Sequence, residues 1–329
     1  MTTFKALQVS EGAEGVFEQR LVEREIAELP TGEVLIRVRY SSLNYKDALS
    51  ASGNRSVTKA YPHTPGIDAA GEVVESSVSE FAPGDEVIVT GYDLGMNTAG
   101  GFGQYIRVPA AWVIKHPLGL SLRESMMLGT AGLTAALCVD KLEQAGLDPH
   151  NGPVLVTGAT GGVGSIAVAL LASQGYEVVA STGKTDQSAF FQRLGASRVL
   201  DRSLLEAGSE RPMLKEQWAG AVDTVGGEIL FNVVKSLKYG ASAACCGLTA
   251  GTGFQGSVLP FILRGVNLLG VDSVELPMVV KASMWDRLSL QWKLDLQDQV
   301  REISLEELPE AFKQMLAGRL VGRMLVNLD

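Results

Sequence analysis

The chain has 329 residues, enough for about two domains of roughly 150 residues each. Apolar residues make up 46% of it, which excludes wholesale disorder, and 28 basic against 37 acidic residues give a net charge of −9, which argues against nucleic acid as the main partner. Three cysteines (Cys138, Cys245, Cys246), two of them adjacent, cannot build a disulfide framework and point to a reducing compartment.

The N-terminal run Met1-Thr2-Thr3-Phe4-Lys5 meets Glu11 and Glu14 with no apolar h-region, and no run reaches the ~18 apolar residues of a membrane helix. A cytoplasmic protein without a membrane partner is expected. Alternation over Val34–Tyr40 predicts a strand, and strand-like runs recur at Gly71–Glu75, Glu86–Thr90 and Gln104–Val108. Turn residues at Pro30-Thr31-Gly32, Pro65-Gly66 and Pro83-Gly84-Asp85 separate them, the pattern of a β-barrel or sandwich. Ser121-Leu122-Arg123-Glu124 has the form of a capping box and predicts a helix start.

From residue 153 strands and helices alternate. Strands are predicted at Val154–Thr157, Glu177–Ala180, Arg198–Leu200, Ala221–Thr224, Ala241–Cys246 and Val266–Val271. Helices are predicted at Val163–Gln174 and Asp186–Leu194. Such alternation predicts an α/β domain with a parallel sheet. The tail shows two helical segments, Met278–Gln291 and Leu305–Ala317, and a strand at Arg323–Asn327. It does not extend the alternation, so it is expected to return to the first domain. The expected bounds are 1–121, 122–271 and, for the returning tail, 272–329.

The sharpest signal is Val154–Ser165, a strand, a glycine-rich turn (Gly158-Ala159-Thr160-Gly161-Gly162-Val163-Gly164) and a helix start. Glycines let backbone approach a pyrophosphate, and the helix N-terminus presents free N–H groups. Thr160, Gly161, Gly162 and Val163 are therefore predicted to bind a dinucleotide. A site selective for NAD places an acid at the end of the second strand, whereas here stands Ser181-Thr182-Gly183-Lys184. Hydroxyls and an ammonium attract the 2′-phosphate of NADPH, with Arg198 and Arg202 near the third strand as further cations.

Gly66-Ile67-Asp68-Ala69-Ala70-Gly71-Glu72-Val73, then Pro83-Gly84-Asp85-Glu86-Val87 and Gly100-Gly101-Phe102-Gly103-Gln104-Tyr105, resemble the signature elements of the medium-chain dehydrogenase/reductase superfamily. The resemblance covers essentially the whole chain. It implies a GroES-like β-barrel catalytic domain, a Rossmann cofactor domain and an active-site cleft. Zinc-dependent members carry Gly-His-Glu where this chain has Gly66-Ile67-Asp68, and a Cys within the segment Leu43-Asn44-Tyr45-Lys46-Asp47. Both ligands are absent, and the three histidines (His63, His116, His150) are scattered, so no metal is expected. Ser41–Leu49, Pro65–Asp68, Ala219–Gly226, Leu259–Val266 and Leu269–Ser273 narrow the likeness. They resemble the YhdH/AcuI group within the zinc-free, quinone oxidoreductase-like branch.

That resemblance implies NADPH-dependent reduction of acrylyl-CoA, with hydride transfer to the β-carbon of a thioester-activated alkene. A donor must then stabilise charge on the thioester oxygen. Tyr45 is the first candidate, either as that donor or as an aromatic packed under the cofactor. Asn44 is expected to hydrogen-bond the cofactor and Asp47 to orient Lys46 or Tyr45. Arg323 is expected to touch the cofactor, and Gly247 to let the nicotinamide ring approach. Arg55, Lys59 and Arg264 are candidates for the phosphates of an acyl-CoA thioester on charge alone, and Ser50–Ala60 for a flexible lid. Relatives of this branch imply a homodimer. Two other functions stay open: a quinone or general alkenal reductase, and a non-catalytic NADPH-binding protein.

Overall fold

Strand pairing begins earlier than the alternation suggests. In the computed structural model, which describes residues 2–329, β1 (Thr3–Glu11) and β2 (Phe17–Glu25) form an antiparallel hairpin. β1 buries Phe4, Ala6, Leu7 and Val9, whereas β2 is mostly polar and buries no residue fully, so its period is weak in the sequence. Then come β3 (Val34–Ser42), α1 (Tyr45–Ala51), β4 (Asp68–Ser76), β5 (Glu86–Thr90), β6 (Tyr105–Val108) and β7 (Val113–Lys115). β3 is the spine, paired antiparallel with both β4 and β6. Val34, Ile36 and Val38 enter a core with Val87, Val89, Phe102 and Ile106. At seven residues α1 is too short to display a helical period. The segment expected to be a lid is pinned. Ser50 Oγ meets Thr58 Oγ1 at 2.7 Å, the Tyr61 hydroxyl donates to Ser50 O at 2.6 Å, and Arg55 pairs with Glu11 at 2.6 Å while lying over Tyr61.

α2 (Leu122–Gln144) opens on the predicted box: Glu124 accepts from Ser121 N at 2.7 Å, and Glu124 N donates to Ser121 Oγ at 3.2 Å. Its helical course breaks at Gly129 (φ 54, ψ −156). The chain divides into two compact units just after that break: Met1–Thr130 with Val274–Gln291 and Asp295–Asp329, and Ala131–Ser273 with Trp292–Leu294. The sequence-based bounds fall nine residues earlier at the first division and two residues earlier at the return.

In the second unit β8 (Val154–Val156), α3 (Gly162–Ser173), β9 (Val178–Thr182), α4 (Ser188–Arg193), β10 (Arg198–Asp201), β11 (Trp218–Asp223), α5 (Gly227–Lys235), β12 (Leu237–Cys245), α6 (Leu259–Arg264) and β13 (Asn267–Gly270) follow in order. The six strands are all parallel, in the order β10-β9-β8-β11-β12-β13. Numbered within the unit this is 3-2-1-4-5-6, the dinucleotide-binding order with its reversal beside β8. Continuous apolar strands such as Val154-Leu155-Val156 are fully buried, as parallel sheets require.

The tail supplies α7 (Met278–Ser289), β14 (Val300–Ile303), α8 (Leu308–Leu316) and β15 (Arg323–Asn327). β15 inserts between β14 and β3, so the last strand completes the first sheet. α7 is anchored by Lys281, fully buried, whose ammonium donates to Thr90 O at 2.8 Å and sits 3.5 Å from the Tyr92 ring centroid.

Candidate functional site

In the second unit the glycine turn behaves as its spacing demands. Gly158 has φ 59, and a Cβ there would lie 2.3 Å from Thr224 Oγ1. A Cβ on Gly164 would lie 2.4 Å from Gly158 O, so helix and strand touch only because that position is bare. Gly161 caps α3, and Gly162 and Val163 form its first turn, whose N–H groups have no helical partner. Thr160 is buried, with Oγ1 3.3 Å from Thr182 Oγ1.

The end of β9 gathers Ser181, Thr182, Gly183 and Lys184. Lys184 N donates to Thr182 Oγ1 at 3.0 Å, and the buried Ser181 hydroxyl has no protein partner. Arg202 lies over Gly183, where an added Cβ would sit 3.1 Å from Arg202 Nε. Burial lowers the Lys184 pKa more than Asp186 raises it. Asp201, opposite Thr182 in the strand register, turns its carboxylate to Ser203 N at 2.9 Å. Arg198 does not join this group. It pairs with Val179 at the far end of a parallel strand pair, three residues or ~10 Å away. Gly247 has a structural reason of its own, because a Cβ there would lie 1.8 Å from Thr224 O. Cys246 lies just past β12, its thiol donating to Asp223 O at 3.4 Å; burial pushes the Cys245 thiol up to about 11.

In the first unit two of the predicted catalytic residues, Asn44 and Asp47, join a buried polar network with Asp68 and Arg323. Asp68, at the start of β4, accepts from four donors. Oδ2 takes Ser42 Oγ (2.5 Å), Asn44 Nδ2 (2.8 Å) and Thr130 N (2.9 Å), and Oδ1 takes Thr130 Oγ1 (2.6 Å). Asp47 accepts the N–H groups of Asn44 (2.8 Å), Ile67 (2.9 Å) and Gly66 (3.2 Å). Arg323, at the head of β15, donates to Met127 O (3.2 Å), Leu43 O (3.1 Å) and Asn44 Oδ1 (3.3 Å). Its Nη2 is buried without a partner. Gly129 lies against the same cluster, since a Cβ there would come within 2.5 Å of Asp68 Oδ2 and 2.9 Å of Arg323 Nη2.

These contacts correct the expectations for Asn44 and Asp47. The Asn44 amide is committed at both ends inside the protein and has no donor to spare for a cofactor. Arg323 is buried and held by carbonyls. Asp47 orients the backbone of residues 44, 66 and 67 and not the Lys46 or Tyr45 side chain. Tyr45 is the exception, 38% exposed with a hydroxyl that has no protein partner. Arg264 is likewise spent, on the carbonyls of Leu214, Lys235 and Leu237 and on Glu216. Asp68, Thr130 and Ser42 carry the network and are not readable as a set, because they lie 26 and 62 residues apart.

The comparisons with known proteins agree with this construction. Residues 30–118 match the model of the alcohol dehydrogenase GroES-like domain, and residues 162–289 match that of the zinc-binding dehydrogenases. YhfP of Bacillus subtilis, provisionally named a quinone oxidoreductase, is 48% identical over 99% of both chains; its structure, with NAD bound, superposes with a TM-score of 0.96. The acrylyl-CoA reductase AcuI of Ruegeria pomeroyi is 43% identical over 99% of both chains. The yhdH oxidoreductase of Salmonella enterica in complex with NADP shares 42% identity over 99% of this chain and 100% of its own, with a TM-score of 0.95. A GroES-like unit and a six-stranded dinucleotide-fold unit in one chain define a two-unit oxidoreductase of the medium-chain class. The chain belongs to the medium-chain dehydrogenase/reductase superfamily, in its quinone oxidoreductase-like branch with the YhdH/AcuI group.

The name of the second matched model implies zinc, and the residues here do not fit it. Ile67 offers no donor atom, both oxygens of Asp68 are taken, and the Asn44 amide lies between Asp68 and a guanidinium. Among the described residues no group of three or more His, Cys, Asp or Glu side chains is arranged to hold a metal ion.

Burial and the neighbouring Asp68 push the Asp47 carboxyl up to about 7. The folded protein then binds a proton on Asp47 between about pH 4 and 7 that the unfolded chain does not. The stability this group contributes is fully present below its unfolded pKa and is lost as pH rises through 7. The urea midpoint of the native chain should therefore fall between pH 5 and 8 relative to that of Asp47→Asn. A constant offset between the two curves would contradict this.

Proposed function

We propose that the chain is an NADPH-dependent reductase of the C=C bond of acrylyl-CoA, yielding propionyl-CoA without zinc. The likeness to AcuI along almost the whole of both chains carries the substrate. The end of β9 supports the cofactor, because hydroxyls and cations stand where a carboxylate would repel a 2′-phosphate. When bound, NADPH would supply a hydride to the β-carbon of the alkene and leave as NADP⁺, and a proton from solvent would complete the α-carbon, so that acrylyl-CoA, NADPH and H⁺ give propionyl-CoA. The N–H groups of Gly162 and Val163 hold the pyrophosphate, and Thr182, Lys184 and Arg202 hold the 2′-phosphate. The unpartnered Tyr45 hydroxyl donates to the thioester oxygen as negative charge develops there. The thioester already activates the alkene, so a hydroxyl donor suffices in place of a Lewis acid.

The likeness to YhfP favours a second reading, a quinone reductase. We place the enzyme in the cytoplasm, where its three free thiols suit a reducing milieu, although the structure itself says only that no helix among the described residues is long and apolar enough to cross a membrane. It is proposed to be a homodimer. β13 is an edge strand, and α6 beside it exposes Ile262 and Leu263.

With NADPH, kcat/KM for acrylyl-CoA should exceed that for benzoquinone by at least tenfold, and Tyr45→Phe should lower kcat for acrylyl-CoA by about 10–100-fold. The reverse preference would establish the quinone reading, and absence of any turnover a binding role. Lys184→Ala should raise KM for NADPH about tenfold and leave KM for NADH nearly unchanged; an equal rise in both removes Lys184 from the 2′-phosphate site. Light scattering should give twice the chain mass, with Ile262→Glu/Leu263→Glu shifting it to one chain. A single-chain mass for the native protein rejects the dimer.

A further inference from the structure

The Asn44 side chain stands between a carboxylate and a guanidinium that do not pair with each other. Its Nδ2 donates to Asp68 Oδ2 and its Oδ1 accepts from Arg323 Nη1, the one orientation of the amide that sets donors against acceptors on both sides. Arg323 also takes Leu43 O, the carbonyl of the peptide entering Asn44, and Asp47 takes the N–H of that same peptide. Asn44 O in turn accepts from Asp47 N and Ala48 N, which fixes the first turn of α1. Leu43 N donates to Met324 O on β15, and the other backbone groups of residues 43 and 44 are tied to Asp47, to Arg323 or to the helix itself. The next residue is Tyr45, whose exposed hydroxyl is held by nothing. Its position follows from the backbone beneath it.

We infer that Asp68 and Arg323 are positioning residues for Tyr45, acting through Asn44. This rests on the role given to the Tyr45 hydroxyl above. Stability alone is a poor reason for such a cluster, since burying two carboxylates and a guanidinium is seldom better than packing apolar groups of similar volume. What the charges add is direction. Asp68 fixes the amide nitrogen, Arg323 fixes the amide oxygen, and their four anchoring segments, Ser42 on β3, Asp68 on β4, Met127–Thr130 on α2 and Arg323 on β15, leave the head of α1 one placement. Gly129 is bare so that α2 can close on the pair. A hydroxyl displaced by ~1 Å from a reacting centre can lose about 100-fold in rate.

The test is a double-mutant cycle on NADPH-dependent reduction of acrylyl-CoA with the full-length enzyme. Asp68→Asn should lower kcat about 10–100-fold while KM for NADPH stays within about twofold, and the same change made in a Tyr45→Phe background should lower kcat little further. Should Asp68→Asn fail to fold, Thr130→Val removes one of the four donors to Asp68, the Thr130 hydroxyl, keeps the Thr130 N–H, and should lower kcat several-fold in the native background and not in Tyr45→Phe. Losses that multiply in the double variant, or an Asp68→Asn enzyme with native kcat, overturn the positioning role and leave Tyr45 standing. An unchanged kcat in Tyr45→Phe alone overturns the role of Tyr45 and the inference with it.

Discussion

A carboxylate with no exposure to water is the constraint on which the first unit depends. Asp68 is fully buried, and an ionised carboxylate in that position is tolerated only if its lone pairs are met. Four donors from three segments meet them, and a buried guanidinium offsets the charge from beyond the Asn44 amide. The donors lie on β3, at the cap of α1 and on α2, and the guanidinium comes from β15, near the end of the chain. The sheet therefore has to include its last strand before the charge is balanced. This gives the returning tail a reason beyond apolar packing: Arg323 brings a buried positive charge that acts on both Asp68 and Asp47. Removing one partner from such a group typically costs about 3–5 kcal/mol, more than a comparable truncation among neutral groups.

The parts of the molecule that are legible in its sequence are those whose cause is local. The capping box at Ser121, the glycine turn before α3 and the apolar strands β8 and β11 each depend on residues within one turn or one strand. Gly164 is correctly read because its crowding comes from Gly158, six residues away. The crowding at Gly247 comes from Thr224, on a neighbouring loop, and no local signal reveals it. Arg198 and Arg202 differ by one strand length. Only the parallel register shows that Arg202 leaves the sheet beside Lys184 while Arg198 enters at the opposite end. Asn44 and Arg323 stand out in the sequence as polar residues, but which groups consume their hydrogen bonds depends on partners up to 280 residues apart.

The replacement of metal ligands changes the chemistry that this corner of the fold can do. A zinc site holds its ion with a few soft or borderline donors and keeps one position open for substrate. Here the donors are a carboxylate and an amide, all their lone pairs and protons are used internally, and the cation is a guanidinium whose contacts are three protein oxygens. Apart from Arg323 Nη2, which is buried, that set holds no unused donor with which to polarise a substrate oxygen. The network can orient its neighbour but cannot act as an electrophile, so polarisation falls to a group outside it. Tyr45 is the residue adjoining the network that keeps both an exposed edge and an unused donor. A phenol is a far weaker electrophile than a metal ion, which restricts the substrate to one whose carbon–carbon bond is already activated by a conjugated carbonyl. Under the proposed function, the absence of metal ligands and an enoyl thioester as substrate are therefore two sides of one requirement.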